Sequence, residues 1–151
     1  MTREEFTAQM DRSLKLVRTE FGLSQEKMSL ALGISKKTLV EIEKGRRSLG
    51  WTGAAACGCL FGCSTILENE FGGELTDLLR SLGLDDLHPV YPRTMGGRVW
   101  WTDVETRQGW RIQRNIISGH YRLLDQHDGR VLSSFHLEEL QERLTQEVSD
   151  T

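Results

Sequence analysis

The sequence lacks several features that secreted and membrane proteins carry. Its three cysteines are an odd number, and the N-terminal segment MTREEFTAQMDRS is charged from residue 3 rather than basic and then apolar. An odd cysteine count without a secretory pattern argues against a disulfide framework and for a reducing compartment. We therefore expect a cytoplasmic protein.

Long hydrophobic runs are also missing. The longest uncharged stretch, residues 48–67, contains four glycines and four serine or threonine residues, so its hydropathy is low for a membrane span. We expect a buried helix in this stretch and no membrane partner.

Motifs of catalysis and metal binding are absent as well. Cys57, Cys59 and Cys63 lack paired CxxC spacing and have no histidine close in sequence, and there is no glycine loop of the phosphate-binding type. We interpret the cysteines as small buried residues of a helix rich in alanine and glycine. The sequence predicts neither an enzyme nor a metal site, and no cofactor.

The net charge of −3 does not by itself indicate a protein that binds nucleic acid. The positive charge is, however, unevenly distributed along the chain. Residues 1–50 carry ten Lys or Arg against seven Asp or Glu, whereas residues 51–151 carry nine against fifteen. All five lysines lie in the first of these segments. This asymmetry indicates two modules with different roles.

Apolar residues recur at helical spacing through the first module. Residues 3–21 carry one apolar stripe, and further helices are predicted over residues 51–61, 66–71 and 75–84. Serines and glycines stand where helices would begin and end, at Gly22, Ser24, Gly33, Ser35 and Gly45. We predict a bundle of five or six helices over residues 1–87.

The composition changes after residue 87. Two prolines and a glycine pair predict a linker over residues 88–97. Segments rich in β-branched and aromatic residues then predict three or four antiparallel strands, over residues 98–105, 109–117, 120–126 and 130–135. Asp128-Gly129 is the strongest hairpin turn among the breakers between them.

A final helix would place four apolar residues on one face: Leu137, Leu140, Leu144 and Val148. The whole chain is thus predicted to be α+β, with an antiparallel sheet and helix over residues 98–151. We expect this second domain to serve oligomerisation or sensing.

Two short helices joined by a glycine turn, the second with cations on its outer face, are typical of a helix-turn-helix. The run LSQEKMSLALGISKKTLVEIEKGRR, residues 23–47, resembles the helix-turn-helix of the Cro and phage-repressor family, the XRE type. The matching positions are Leu23 to Glu26, Met28, Leu32, Gly33 to Ser35, Thr38, Leu39, Ile42, Glu43 and Gly45. The resemblance covers about residues 10–70 and implies a DNA-binding transcriptional regulator.

The resemblance also implies a role for each matching polar residue. Lys36, Lys37 and Glu41 would meet base edges in the major groove, and Gln25 would bind a phosphate at the start of its helix. Further DNA contacts are implied for Ser35, Thr38, Val40, Lys44, Arg46 and Arg47. Arg18 and Glu43 match an ion pair that supports the family's fold.

The two adjacent lysines have a simpler explanation, which is a solvated helix face. Lys36 and Lys37 nevertheless follow the cap Ser35 directly, where the helix dipole disfavours cations by a few tenths of a kcal/mol each. Within a complete motif this unfavourable placement points to a polyanionic partner.

Leu30 and Ala31 depart from the family pattern, which has exposed charged residues at these positions. We expect another element or subunit to cover them. Together with the acidic stretch over residues 68–86, they favour the alternative function, a protein-interaction module such as an antitoxin or adaptor.

The β-rich part allows three interpretations. Its arginines interleave with Trp100, Trp101, Trp110 and Tyr121, as in a second nucleic-acid surface. The aromatics could instead form a small core with the arginines on the wet face. Alternation along a strand could also leave Trp100 or Trp101 exposed as part of a dimer or ligand surface.

The sequence therefore predicts a sequence-specific transcriptional regulator, a repressor, that binds double-stranded DNA. Because one recognition helix covers only a few base pairs, we expect a homodimer on a near-palindromic site. The C-terminal part would sense a small-molecule or peptide effector, or support the dimer.

Overall fold

The computed structural model describes residues 1–89 and 100–149. Contacts divide the chain into two compact units, Met1–Tyr91 and Pro92–Thr151. The predicted linker over residues 88–97 lies outside the described residues except for its first two. The first two residues of the predicted strand over 98–105 lie outside them too.

Six helices make up the described part of the first unit. They are α1 (Arg3–Glu20), α2 (Gln25–Leu32), α3 (Lys36–Glu43), α4 (Gly50–Leu60), α5 (Thr65–Phe71) and α6 (Leu75–Gly83). The predicted bundle of five or six helices is confirmed. Ser24 and Ser35 cap α2 and α3, each accepting a hydrogen bond from the backbone N–H three residues on.

The core of the first unit lies along one face of α1. Phe6, Met10, Leu14 and Val17 follow one another at helical spacing and are fully buried there. The other helices add buried residues to the same core, among them Met28, Leu39, Ile42, Ala54, Leu67 and Leu79. Each such large apolar side chain contributes about 1.5–3 kcal/mol on burial, and together they fix the helices around α1.

The helix predicted over residues 51–61 is confirmed as α4, but the expectation that the uncharged stretch 48–67 is buried holds for only one face of it. The stretch contains α4, a turn and the start of α5, and α4 buries only the face with Ala54, Cys57 and Gly58. A Cβ on Gly58 would lie 3.2 Å from Leu79 Cδ1, so this face makes a close helix contact. Small residues allow neighbouring helices to approach α4 closely on this face. The opposite face of α4 is open to solvent.

The three cysteines differ in their exposure to solvent. Cys57 is buried, whereas Cys59 and Cys63 are exposed, which corrects the expectation that all three are buried. Burial, and to a lesser degree the charge of Asp11, raises the pKa of the Cys57 thiol to about 12. Over residues 1–89 and 100–149 no group of three or more Cys, His, Asp or Glu could hold a metal ion. None of the described helices combines the length and the apolar character that crossing a membrane requires.

The second unit is a four-stranded antiparallel sheet with one helix. The strands are β1 (Trp101–Arg107), β2 (Trp110–Asn115), β3 (Tyr121–Leu124) and β4 (Arg130–Ser134), paired in chain order, and α7 spans Leu137–Ser149. Ile112 and Leu123 pack with Leu140 and Leu144 in the core between sheet and helix. The predicted α+β class and the apolar face of the final helix are confirmed.

Asp128-Gly129 lies in a hairpin loop, between β3 and β4, as predicted, but it is not the tightest turn of the sheet. The tight two-residue turn is Gln108-Gly109, where both residues have positive φ, +49° and +85°. Asp128-Gly129 lies in a longer loop in which Asp128, and not the glycine, has positive φ. The Asp125 carboxylate organises that loop by accepting hydrogen bonds from the N–H groups of His127 and Gly129, both at 2.8 Å. These bonds lower the pKa of Asp125.

The two faces of α3 differ in burial, so substitutions on them differ in their effect on stability. We expect Leu39→Ala to lower the free energy of unfolding by about 2–5 kcal/mol, because Leu39 is fully buried. Val40→Ala, on the outer face, should change it by less than about 1 kcal/mol. Urea denaturation followed by circular dichroism measures both. Equal losses in the two variants would contradict this orientation of α3.

Candidate nucleic-acid interface

The segment between α2 and α3 turns tightly because Gly33 adopts a left-handed conformation, with φ of +68°. The N–H of Ile34 donates to the carbonyl of Ser29 at 3.0 Å, which closes the end of α2. Ser29 itself is buried and donates its hydroxyl to the Glu26 carbonyl, at 2.7 Å. A buried small residue, a glycine turn and a capping serine therefore set the angle between the two helices.

The outer face of α3 is polar and accessible. Leu39 and Ile42 anchor the inner face in the core, while Lys36, Lys37 and, just beyond the helix, Lys44 are exposed. Val40 and Glu41 lie between them and are half-buried. A helix with one anchored face and a cationic opposite face can present side chains to a groove without changing the core.

Three polar side chains meet at the start of α3. Ser35 Oγ accepts a hydrogen bond from the Thr38 N–H at 3.0 Å and donates to Thr38 Oγ1 at 2.9 Å. Arg47 Nη1 donates to the same Thr38 oxygen at 3.3 Å. Hydroxyls and a guanidinium thus stand beside the first turn of an eight-residue helix, whose unpaired backbone N–H groups favour an anion.

Glu41 is paired only loosely. Arg46 Nη1 lies 3.8 Å from Glu41 Oε2, and the Arg46 side chain is 67% exposed. A surface pair of this kind is worth about 0–1 kcal/mol. Breaking this pair so that either side chain can contact a ligand therefore costs little free energy.

One guanidinium holds the three helices of the motif together. Arg18 of α1 forms a bidentate ion pair with Glu43 of α3, with Nε–Oε1 at 2.5 Å and Nη2–Oε2 at 3.2 Å. Its Nη1 also donates to the carbonyl of Leu23, just before α2, at 3.0 Å. The Glu43 side chain is only 5% exposed, so the pair is shielded from water and salt.

Gln25 is engaged in the same network. Its amide Nε2 donates to Glu43 Oε2 at 2.9 Å, from the first turn of α2. The bond holds the Gln25 amide close to the N-terminus of α2, where the resemblance implies a phosphate contact.

Burial alone would raise the pKa of Glu43, and it is the largest single influence on that group. The hydrogen bonds from Arg18 and Gln25, with the charges of Arg18 and Lys15, act in the opposite direction and outweigh it. The pKa of Glu43 therefore lies below its ordinary value of 4.5. Glu43 is ionised in the folded protein at neutral pH.

A family of helix-turn-helix domains matches the chain over residues 14–50, which include α2, the turn and α3. This stretch is thus similar to helix-turn-helix domains of the XRE type, which confirms the resemblance seen in the sequence. The match covers a minority of the chain and does not extend to the β-rich unit. No curated protein and no solved structure matches the chain.

The helix-turn-helix domain brings the sequence-derived residues into three groups. The first group lies on the outer side of α3 and consists of Lys36, Lys37, Val40, Glu41 and Lys44. The second group lies at the start of α3 and consists of Ser35, Thr38 and Arg47. Arg18, Gln25 and Glu43 form the network beneath the motif, and Arg46 touches Glu41. Leu30 and Ala31 are exposed, Leu30 at 76%, so no other described element of the first unit covers them, and cover by a second subunit stays a prediction.

Sequence analysis missed two cations of α1. Arg12 and Lys15 line a shallow cleft of about 350 Å³ with Glu43 and Lys44 at the end of α3. Lys15 also acts electrostatically on Glu43. Their spacing of three residues from one another and from Arg18 was the available signal, because such residues are neighbours on a helix surface.

The Arg18–Glu43 pair makes the stability of the first unit depend on pH. We expect Glu43→Gln to lower the free energy of unfolding by about 3 kcal/mol at pH 7, because it leaves Arg18 without its charged partner. Since the folded-state pKa is depressed, this difference should be complete above the ordinary value of 4.5 and shrink as the pH falls below it.

Chemical denaturation of both proteins between pH 3 and pH 7 would measure this difference. Glu41→Gln, on the outer side of the same helix, is the matched control and should change stability by less than about 1 kcal/mol. A difference between Glu43→Gln and the unmodified protein that stays constant down to pH 3 would contradict the assignment.

Proposed function

We propose that the protein is a sequence-specific transcriptional regulator that binds double-stranded DNA through the outer face of α3. The observation that carries this proposal is the accessible set Lys36, Lys37 and Glu41 on a helix fixed from below by the Arg18–Glu43 pair. Rigid placement matters because base readout requires side chains held in register with the groove. Such a function would place the protein in the cytoplasm.

Each group of residues would make a different kind of contact. Lys36 and Lys37 would donate to guanine O6 and N7 or to a phosphate, and Glu41 would accept from a cytosine amino group. Val40 is suited to a thymine methyl group. Backbone contacts are proposed for Gln25, Ser35, Thr38, Lys44, Arg46 and Arg47, supported by their exposure or by their position at the N-termini of α2 and α3.

We further propose a homodimer that acts as a repressor. A single α3 spans too few base pairs to select one site in a genome, so two copies related by a two-fold axis would read an inverted repeat. Repression requires only that the site be occupied, whereas activation requires a further contact. The unit beyond residue 98 would strengthen the dimer or bind a small-molecule or peptide effector.

A second candidate function rests on Leu30, which is 76% exposed on α2 beside exposed Ala31. A large apolar side chain in this position favours a protein partner, as in an antitoxin or adaptor. Copurification of a stoichiometric partner that is lost in Leu30→Glu, with no DNA sequence selected by the folded protein, would favour this candidate over the regulator.

Selection from a random duplex library tests the proposal directly. We expect an enriched inverted repeat, whose half-site spacing gives the distance between the two α3 helices of a dimer. Binding to the selected site should weaken steeply with salt, because phosphate contacts release counterions. Folded protein that enriches no sequence would count against the regulator.

Single substitutions separate base readout from general charge. We expect Lys37→Ala to cost about 1–3 kcal/mol of binding at one or a few base positions and to relax the preference there. Arg80→Ala removes the same charge from the exposed side of α6 and should leave affinity and preference unchanged. Fluorescence anisotropy with single-base variants of the selected site measures both. Unchanged preference in Lys37→Ala would show that the recognition residues lie elsewhere.

A further inference from the structure

The second unit is electrostatically polarised between its helix and its sheet. Helix α7 carries four acidic residues, Glu138, Glu139, Glu142 and Glu147, against Arg143, which pairs with Glu147 at 2.6 Å. Three arginines lie on three adjacent strands of the sheet: Arg111, Arg122 and Arg130. Negative charge is thus concentrated on the helix and positive charge on the sheet.

Strand register places these arginines on the face of the sheet that α7 does not cover. Ile112 pairs with Leu123, and both are buried against α7. Because successive side chains alternate between faces, Arg111 and Arg122 lie on the opposite face, which we call the open face. A register shift between Leu123 and Leu124 interrupts the alternation of β4, and Arg130 pairs with Leu124, the residue that also pairs with Arg111. The charge of Arg130 acts on Arg122.

Arg122 is held in place without a carboxylate. Its Cζ lies 3.9 Å from the centre of the Trp101 ring, a cation–π contact across the sheet. Its Nε and Nη2 donate to Gln113 Oε1 at 3.0 and 2.8 Å, and Gln113 in turn donates to Asp103 at 2.6 Å. A neutral amide and a ring therefore orient the guanidinium, and these contacts leave its Nη1 group for a ligand.

The positive charge of the open face is only partly compensated, because its three arginines lie near two carboxylates, Asp128 and Asp103. In the described residues Arg111 pairs with Asp128, but no carboxylate lies within ion-pair distance of Arg122 or Arg130. Burial, and then the charges of Arg130 and Arg111, lower the pKa of Arg122, and the charge of Asp128 opposes them more weakly. An anion at this face would relieve the repulsion, and the planar guanidinium groups suit phosphate oxygens.

We propose that the open face, with Arg111, Arg122 and Arg130, is a second DNA contact that binds the sugar-phosphate backbone of duplex DNA. The arrangement argues against single-stranded nucleic acid, which needs aromatic rings free to stack on bases. Arg122 covers one side of Trp101, and the His120 ring meets it edge-on with centroids 5.0 Å apart. Phosphate contacts of this kind add affinity without sequence preference.

The proposal rests on the proposed function only in sharing duplex DNA as the ligand, so the experiment tests the two separately. The unmodified 151-residue protein and the variants Arg122→Gln and Arg130→Gln are titrated with a random-sequence duplex, and with a selected site if one is found, over a series of salt concentrations. Each substitution should reduce the slope of log Kobs against log salt by about 0.9 and weaken both duplexes by the same factor. Lys37→Ala should instead weaken the selected site more than the random one.

Arg143→Gln on α7 removes the same charge from the other face and should leave the slope unchanged. Because Arg122 packs on Trp101, Arg122→Gln could also lower stability, which thermal unfolding would report. The Arg130 side chain is exposed and makes no hydrogen bond within the described residues, so Arg130→Gln tests the charge alone.

The Lys36/Lys37 double alanine variant distinguishes failure of the proposed function from failure of this proposal. Residual, salt-sensitive binding of random duplex in that background should weaken further when Arg122→Gln is added, with the salt slope again reduced by about 0.9, even if no sequence was ever selected. An unchanged salt slope in both Arg122→Gln and Arg130→Gln would overturn the proposal. Stronger binding of a single-stranded oligonucleotide than of the duplex through the same arginines would overturn it too.

Discussion

The helix-turn-helix depends on one shielded ion pair. Arg18 reaches from α1 to Glu43 at the end of α3 and to the Leu23 carbonyl before α2, and Gln25 closes the network from α2. Removing either charge leaves its partner buried and unpaired, which costs more than any exposed pair in the unit contributes. The polar network beneath α3 and the polar face above it are therefore coupled, because the first fixes the orientation of the second.

The two units use arginine in opposite ways. In the first, Arg18 is neutralised by Glu43 and belongs to the scaffold. In the second, Arg122 is oriented by Trp101 and Gln113, which supply geometry without negative charge. A paired guanidinium stabilises its surroundings, whereas an oriented and unpaired one retains its attraction for an external anion. The same residue type thus marks structure in one place and a candidate ligand contact in the other.

Features that depend on neighbours in sequence were predictable. Ser24 and Ser35 cap their helices as expected, and the helical spacing of Leu39 and Ile42 identifies the inner face of α3. Features that depend on distant neighbours were not. The single buried face of α4 results from its contact with Leu79. The conformation of the loop before β4 is set by hydrogen bonds to Asp125 rather than by the Asp-Gly pair. The stacking of Arg122 on Trp101 joins strands that are not adjacent in the sheet, which composition cannot reveal.

The unequal burial of the cysteines allows local opening of the first unit to be measured by thiol labelling. Cys59 and Cys63 are exposed, so an alkylating reagent can reach them in the native protein. Cys57 is buried with a pKa of about 12, so it can react only when the contacts of α4 with its neighbours open. After the two exposed thiols are blocked, the slow labelling of Cys57 measures how often that opening occurs without any denaturant.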